Sequence, residues 1–202
     1  MKTIIHVLLG TFVFLNTLIG SEEKVLEASN SLQLIIRNSG QSIPPMLIKK
    51  AQAIAVFPSV TKIGFLFGGL FGEGVMSKRT QDGWSDPINL KIKGGSVGLQ
   101  FGFESSDIVL FILKPSIVED MLDTKITLGV DASVSAGPIG GSYEEMTDFK
   151  LSQDIYAYAN NSGLFVGASL GGTVMSVNDK DTTVPSSYAS RTFIETIKRL
   201  DK

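Results

Sequence analysis

The chain contains no cysteine, and its single histidine, His6, lies within the first ten residues. Without cysteine there are no disulfides and no thiol nucleophile, so core packing alone must stabilise the domain. Beyond residue 21 neither His nor Cys remains, which excludes Ser-His-Asp catalysis and ordinary zinc sites. Charge is also sparse, at 19% of residues, and there is no basic surplus: 18 Lys+Arg stand against 20 Asp+Glu. A nucleic-acid-binding domain usually shows the opposite balance, so no nucleic acid is expected as a partner and any anion site must be a local patch. What the chain has in quantity is glycine, 21 in 202 residues. No G-X-Y period accompanies them, so they point to tight turns and closely packed backbones. The length suits one domain with a sizeable core.

The N-terminus reads as a targeting segment. Lys2 supplies a weak positive start, Ile4 to Ile19 is nearly all apolar, and Gly20-Ser21 offers small residues for cleavage. Residues 1–21 are therefore expected to be a signal peptide and 22–202 a single exported domain, periplasmic or envelope-associated. The alternative is a retained N-terminal anchor, because Leu18 and Ile19 suit a cleavage point poorly. No cysteine follows the apolar run, so there is no lipid-modified one. Removing residues 1–21 takes away only Lys2 among the charges, leaving 17 Lys+Arg and 20 Asp+Glu, net −3.

Glu22 to Asn38 has the spacing of an amphipathic helix, with Val25, Ala28, Leu32, Ile35 and Ile36 recurring on one face. That face either covers a sheet or lies on a membrane. The acidic pair Glu22-Glu23 in its first turn argues against strong attraction to anionic lipid. Ser42-Ile43-Pro44-Pro45 starts a short helix leading to Lys49-Lys50. Ala53 to Phe57 reads as a short strand bounded by Pro58-Ser59. Ile63 to Met76 has the small-xxx-small spacing of a membrane helix at Gly64, Gly68 and Gly72, but Pro58, Lys62 and Glu73 interrupt the apolar region below a spanning length. With period 2, large residues (Ile63, Phe65, Phe67, Phe71, Val75) fall on one side and mostly glycines on the other, which predicts a long, bent strand. Gln81-Asp82-Gly83 is a turn, and Trp84 starts the return.

Further along, Val97 to Phe103 alternates as a strand, Ser105-Ser106-Asp107 reads as a turn, and Ile108 to Leu113 as a buried strand. Ser116 with Glu119 matches a capping box and predicts a helix over about Ile117 to Leu122. Ile126 to Ser135 alternates again, and Ser187 to Leu200 reads as a helix with Phe193, Ile197 and Leu200 on one face. One internal feature stands out. Gly163 to Ser176 aligns without gaps on Gly64 to Ser77, and each copy follows a short strand. Two similar hairpins predict pseudo-symmetric halves of one sheet. The expected class is mainly β with flanking helices (α+β): an antiparallel, glycine-rich sandwich or barrel-like sheet with an N-terminal amphipathic helix and a C-terminal helix.

Two motifs mislead. Gly167-Ala168-Ser169-Leu170-Gly171 satisfies G-x-S-x-G, but the required strand–turn–helix setting and histidine are missing. Asn178-Asp179-Lys180-Asp181 lacks the glycine and glutamate of a calcium loop. Carboxylates such as Asp131, Glu144 and Glu145 show no pairing. No enzyme, metal or cofactor is expected.

Taken together, Ala53-Ile54-Ala55-Val56-Phe57-Pro58, the glycine-rich stretch from Gly64 to Gly74, Gly83-Trp84-Ser85 with Pro87, and Gly98-Leu99-Gln100-Phe101-Gly102 form an ordered set. Asp131 with Gly137-Pro138, and Ile155-Tyr156 with Gly163-Leu164-Phe165, complete it. This order resembles the SYLF domain family over a core of about 49–179. A departure lies after Asp179, where the family's Tyr-rich ending is reduced to Tyr188. The resemblance implies non-catalytic binding of anionic phospholipid membranes, phosphoinositides in eukaryotic members, with help from an N-terminal amphipathic helix; some fungal relatives bind actin. For an exported chain the implied ligand is anionic phospholipid at large.

Near the glycine-rich stretch, the candidate lipid contacts are Lys49, Lys50, Lys62, Lys78, Arg79 and Trp84, with Val25, Leu32, Ile35 and Ile36 as a membrane-facing helix surface. Each lysine is equally an ordinary solvated side chain, and Trp84 equally core. Three basic residues at about 1 kcal/mol each supply about 3 kcal/mol, weaker than a millimolar interaction, so apolar insertion would have to contribute. The alternatives from other classes are a membrane β-barrel and a scaffolding domain with an envelope protein partner. The oligomeric state is not legible.

Overall fold

The apolar run that begins at Ala53 does not stop at Pro58. In the computed structural model, which describes residues 21–37, 43–64, 67–97, 102–137, 151–160, 170–178 and 186–201, it continues as one strand, β1 (Ala53–Gly64). It forms an antiparallel hairpin with β2 (Phe67–Thr80), so Ile63 and Gly64 close the first strand instead of opening the second. Proline has no N–H to give a ladder, and the chain absorbs it with a bulge. The register steps by one extra β1 residue against both neighbours between Val56 and Thr61, and Ser59 takes a positive φ of 55°. The freed Ser59 N–H donates to Asp107 Oδ1 at 2.9 Å. The bulge also resets the alternation: Phe57 and Val60, three residues apart, both enter the same core cluster. Opposite it, a Cβ on Gly74 would lie 2.3 Å from the Val56 carbonyl oxygen and 2.6 Å from the Phe57 ring. Only glycine fits there.

β3 (Gly83–Trp84) returns on the end of β2. β4 (Ile88–Val97) flanks β2, and β5 (Gly102–Ile112) flanks β1. Of the alternation expected over 97–103, Val97 ends β4 and Gly102 and Phe103 begin β5, while 98–101 lie outside the described residues. Ser105-Ser106-Asp107 is not a turn: it lies inside β5, opposite the bulge. With β6 (Lys125–Thr127), β7 (Val134–Ala136), β8 (Ile155–Ala159) and β9 (Val174–Val177), the sheet runs β6-β9-β4-β2-β1-β5-β8-β7 and curls into a half-barrel. Only β7 with β8 is a parallel strand pair among the described residues. Among the described residues β8 and β9 do not pair as the expected second hairpin. β8 pairs with β5 and β9 with β4, on opposite flanks of the central strands, although Val174-Met175-Ser176 of β9 repeats Val75-Met76-Ser77 of β2. Sequence similarity of two strands does not dictate that they pair; what each strand pairs with depends on the edges still open when it joins the sheet.

Each face of the sheet buries its own core. On the inner face, Phe57, Val60, Leu70, Met76, Leu90 and Leu110 pack with Ile117, Val118 and Met121 of α3 (Pro115–Asp123). That helix starts two residues earlier than the capping-box reading, with Lys114 as N-cap, Pro115 in the first turn and no side-chain cap bond. On the outer face, Ile54, Val56, Val75, Val109 and Phe111 meet three helices: α1 over 21–37, α2 (Pro45–Lys50) and α4 (Tyr188–Leu200). The Ser187 hydroxyl caps α4 by accepting from the Ser190 N–H at 3.2 Å. The expectation of a mainly β domain with terminal helices holds. Helices occupy the face on which a transmembrane barrel would present side chains to lipid. No helix among the described residues is long and apolar enough to cross a membrane. The segment 1–20, Glu144 and Glu145, and most of G-x-S-x-G lie outside the described residues.

Candidate functional site

Lys78 and Arg79 are neighbours on β2, so their side chains leave opposite faces of the sheet. Arg79 turns outward, towards the helices. Its Nε donates to the Ala51 carbonyl at 2.9 Å, and Nη2 donates at 3.0 Å to the Ile48 carbonyl, which also accepts from the Ala51 N–H at 3.2 Å. Nη1 reaches Asp201, just past the end of α4, at 2.9 Å. The guanidinium carbon stands 4.4 Å from the centre of the Trp84 ring, which is itself buried. One arginine thus joins α2, α4 and β3. Trp84 belongs to the outer core with Phe193 and Ile197.

Lys78 lines the inner side. Together with Gln52, Arg79, Thr80, Pro115, Val118, Glu119 and Leu122 it lines an open cleft of about 250 Å³ between the end of β2 and α3. Lys49 and Lys50 are exposed in the last turn of α2, where the helix dipole favours positive charge. Met46, one turn earlier, is 39% exposed, while Leu47 and Ile48 point into the core. The structure adds two cations that sequence reasoning did not select. Lys198 and Arg199 are exposed in the last turn of α4, which the Arg79–Asp201 pair holds at the same end of the molecule. The signal was present as two basic residues closing an amphipathic helix, but the sequence does not say where that helix ends in space.

The other candidates fall elsewhere. Lys62 pairs in register with Leu70 on β2 and Glu104 on β5, whereas Lys78 is opposite Ala53. The rise along β1 separates Lys62 from the others by roughly 25–30 Å, so it is not part of the same site. Val25, Leu32 and Ile35 are fully buried against the sheet and Ile36 is half-buried beside them. Of the two readings of this helix, the structure shows the sheet-covering one. The face is taken up by the core, worth roughly 1.5–3 kcal/mol for each of the three large side chains. Leu26 and Leu34 are the apolar residues of α1 that face outward, at 36% and 46% exposure. Among the described residues no three His, Cys, Asp or Glu side chains converge on a metal-ligating group.

Fold and surface define an α+β domain on a curled, mostly antiparallel sheet, with a basic end where two helices terminate. The chain belongs to the Ysc84, or SYLF, family. The family described as "Ysc84: Las17-binding protein actin regulator" matches residues 93–190. "Protein YSC84" of Saccharomyces cerevisiae is 37% identical over 139 residues, 67% of this chain and 30% of the relative. "LAS seventeen-binding protein 3" of the same species is 36% identical over 139 residues, again 67% of this chain and 30% of the relative. "SH3 domain-containing YSC84-like protein 1" of Xenopus laevis is 37% identical over 133 residues, 65% of this chain and 39% of the relative. The chain thus spans between 30% and 39% of the length of these three relatives. No solved structure matches it.

Proposed function

We propose that the domain is a non-catalytic module that binds anionic lipid surfaces through its basic end. The observation that carries this reading is the gathering of Lys49, Lys50, Lys78, Lys198 and Arg199 at one end, beside the half-exposed Met46. Five cations at about 1 kcal/mol each supply about 5 kcal/mol, which passes the millimolar threshold that three lysines miss. Arg79 and Trp84 support this surface by fixing the helix ends. The apolar segment 4–19 brings the domain to the cell envelope in this reading, and the lipid is any anionic phospholipid met there.

The test is flotation of the full chain with phosphatidylcholine vesicles, with and without phosphatidylglycerol. Binding should rise with the anionic lipid, fall with salt, and drop about tenfold or more in the Lys49→Ala/Lys50→Ala variant, as two lost cations imply. Equal binding to both vesicle types would sink the proposal. A second reading is a protein-interaction module, favoured by the name of a relative, "LAS seventeen-binding protein 3". A partner captured by crosslinking from native membranes, with no preference for anionic lipid, would select it.

A further inference from the structure

The helices leave one part of the outer sheet face open. At the far end of the β1–β2 hairpin, Ile63 and Phe71 are 49% and 51% exposed, the most open large apolar side chains on the long strands among the described residues. Phe71 stands between Thr61 of β1 and the exposed Lys93 of β4. In the next row Ile63 faces Gly69, which faces Gly95; a Cβ on either glycine would meet nothing within 4 Å. The face is therefore flat, apolar and bordered by a lysine.

Its position along the chain names what meets it. α1 is fastened at its start to the border of this patch: Asn89 Nδ2 of β4 donates to Ser21 Oγ at 3.1 Å, and Lys24 pairs with Glu73, two residues from Phe71 on the same side of β2. The residues just before Ser21 are the nearly all-apolar run Ile4 to Ile19. With that run retained as an N-terminal anchor, the second of the two readings of the segment, it joins the domain beside its exposed apolar face.

We propose that this open end is a second membrane-contact surface, where Ile63 and Phe71 enter the acyl boundary of a bilayer and Lys93 lies at the level of the headgroups. Apolar side chains at that depth with a lysine snorkelling above them is the arrangement interfacial segments use. The surface goes beyond the basic end and is distinct from it, roughly 30 Å away along the strands.

The absence of cysteine makes the test clean. Full-length Phe71→Cys and Lys50→Cys variants each take one polarity-sensitive maleimide dye, and Ile63→Cys serves as a second reporter if the Phe71 variant does not fold. Each is mixed with phosphatidylcholine/phosphatidylglycerol vesicles carrying a nitroxide on the acyl chain. In sedimented protein the probe at 71 should shift to the blue and lose most of its intensity to the nitroxide, while the probe at 50 should not. The proposal is overturned if the probe at 71 keeps its aqueous emission in vesicle-bound protein. It is overturned equally if that probe is already shielded without vesicles, which would mean that the chain's own segment or a second copy covers the face. Failure to sediment at all would remove this surface and the lipid-binding reading together; bound protein with an aqueous probe removes this one alone.

Discussion

Arg79 illustrates how a residue selected for its charge is held by its geometry. Its planar fork meets two carbonyls and a carboxylate and lies over Trp84, a set of contacts that lysine cannot reproduce. Arg79→Lys is expected to lower stability by about 2 kcal/mol in urea unfolding, through lost charge-assisted hydrogen bonds. It should leave the anionic-vesicle preference nearly intact, because the net charge is kept. Gly74→Ala is a steric prediction: the added methyl runs into the Val56 carbonyl and the Phe57 ring, and about 1–3 kcal/mol should be lost. Asp154 gives a pH signature. Burial pushes its carboxyl upward, but hydrogen bonds from Lys114 and from the Ser133 side chain and backbone outweigh this and hold it below the ordinary carboxylate value. A lowered pKa contributes stability above the unfolded value that is lost as pH falls through the folded one. Below about pH 4 the parent chain should therefore lose stability more steeply than Asp154→Asn, as followed by thermal melts across an acid series.

At the scale of elements, α1 is a structural helix with a narrow outer strip. Leu32 is fully buried in the outer core, so Leu32→Ala should cost about 2–5 kcal/mol. Leu34 is half-exposed, and Leu34→Ser should change the unfolding free energy in urea by no more than about 0.5 kcal/mol. Deleting the helix would bare the outer core, so its loss would report on folding before it reported on lipid. The bulge in β1 acts at the same scale. It lets a proline sit within a long central strand and keeps Phe57 and Val60 in one core.

For the whole molecule, the strands set the distance between two surfaces of different chemistry. One end gathers cations where α2 and α4 terminate; the other exposes Ile63 and Phe71 on bare sheet. If both meet lipid, one molecule can touch two bilayers. Turbidity of an anionic vesicle suspension should then rise on adding the full chain. It should fall back in Lys49→Ala/Lys50→Ala and in Phe71→Ser alike, although only the first loses its preference for anionic lipid.

The sequence by itself determined the mainly β class, the amphipathic helices near both ends, the lack of cysteine and of any histidine beyond His6, and the family, because periodicity and residue order are local properties of the chain. It did not determine strand partners. The repeat at Gly64 and Gly163 predicts twin hairpins, yet β8 and β9 separate to opposite flanks, since pairing depends on which edges the rest of the sheet leaves open. Nor did it place charge. Lys62 and Lys78 lie close in the sequence and at opposite ends of a strand ribbon, while Lys50 and Lys198 lie far apart in the sequence and at the same end. Only the tertiary structure decided which cations stand together, because the rise of about 3.3 Å per strand residue carries sequence neighbours apart while helix ends are drawn together by one arginine.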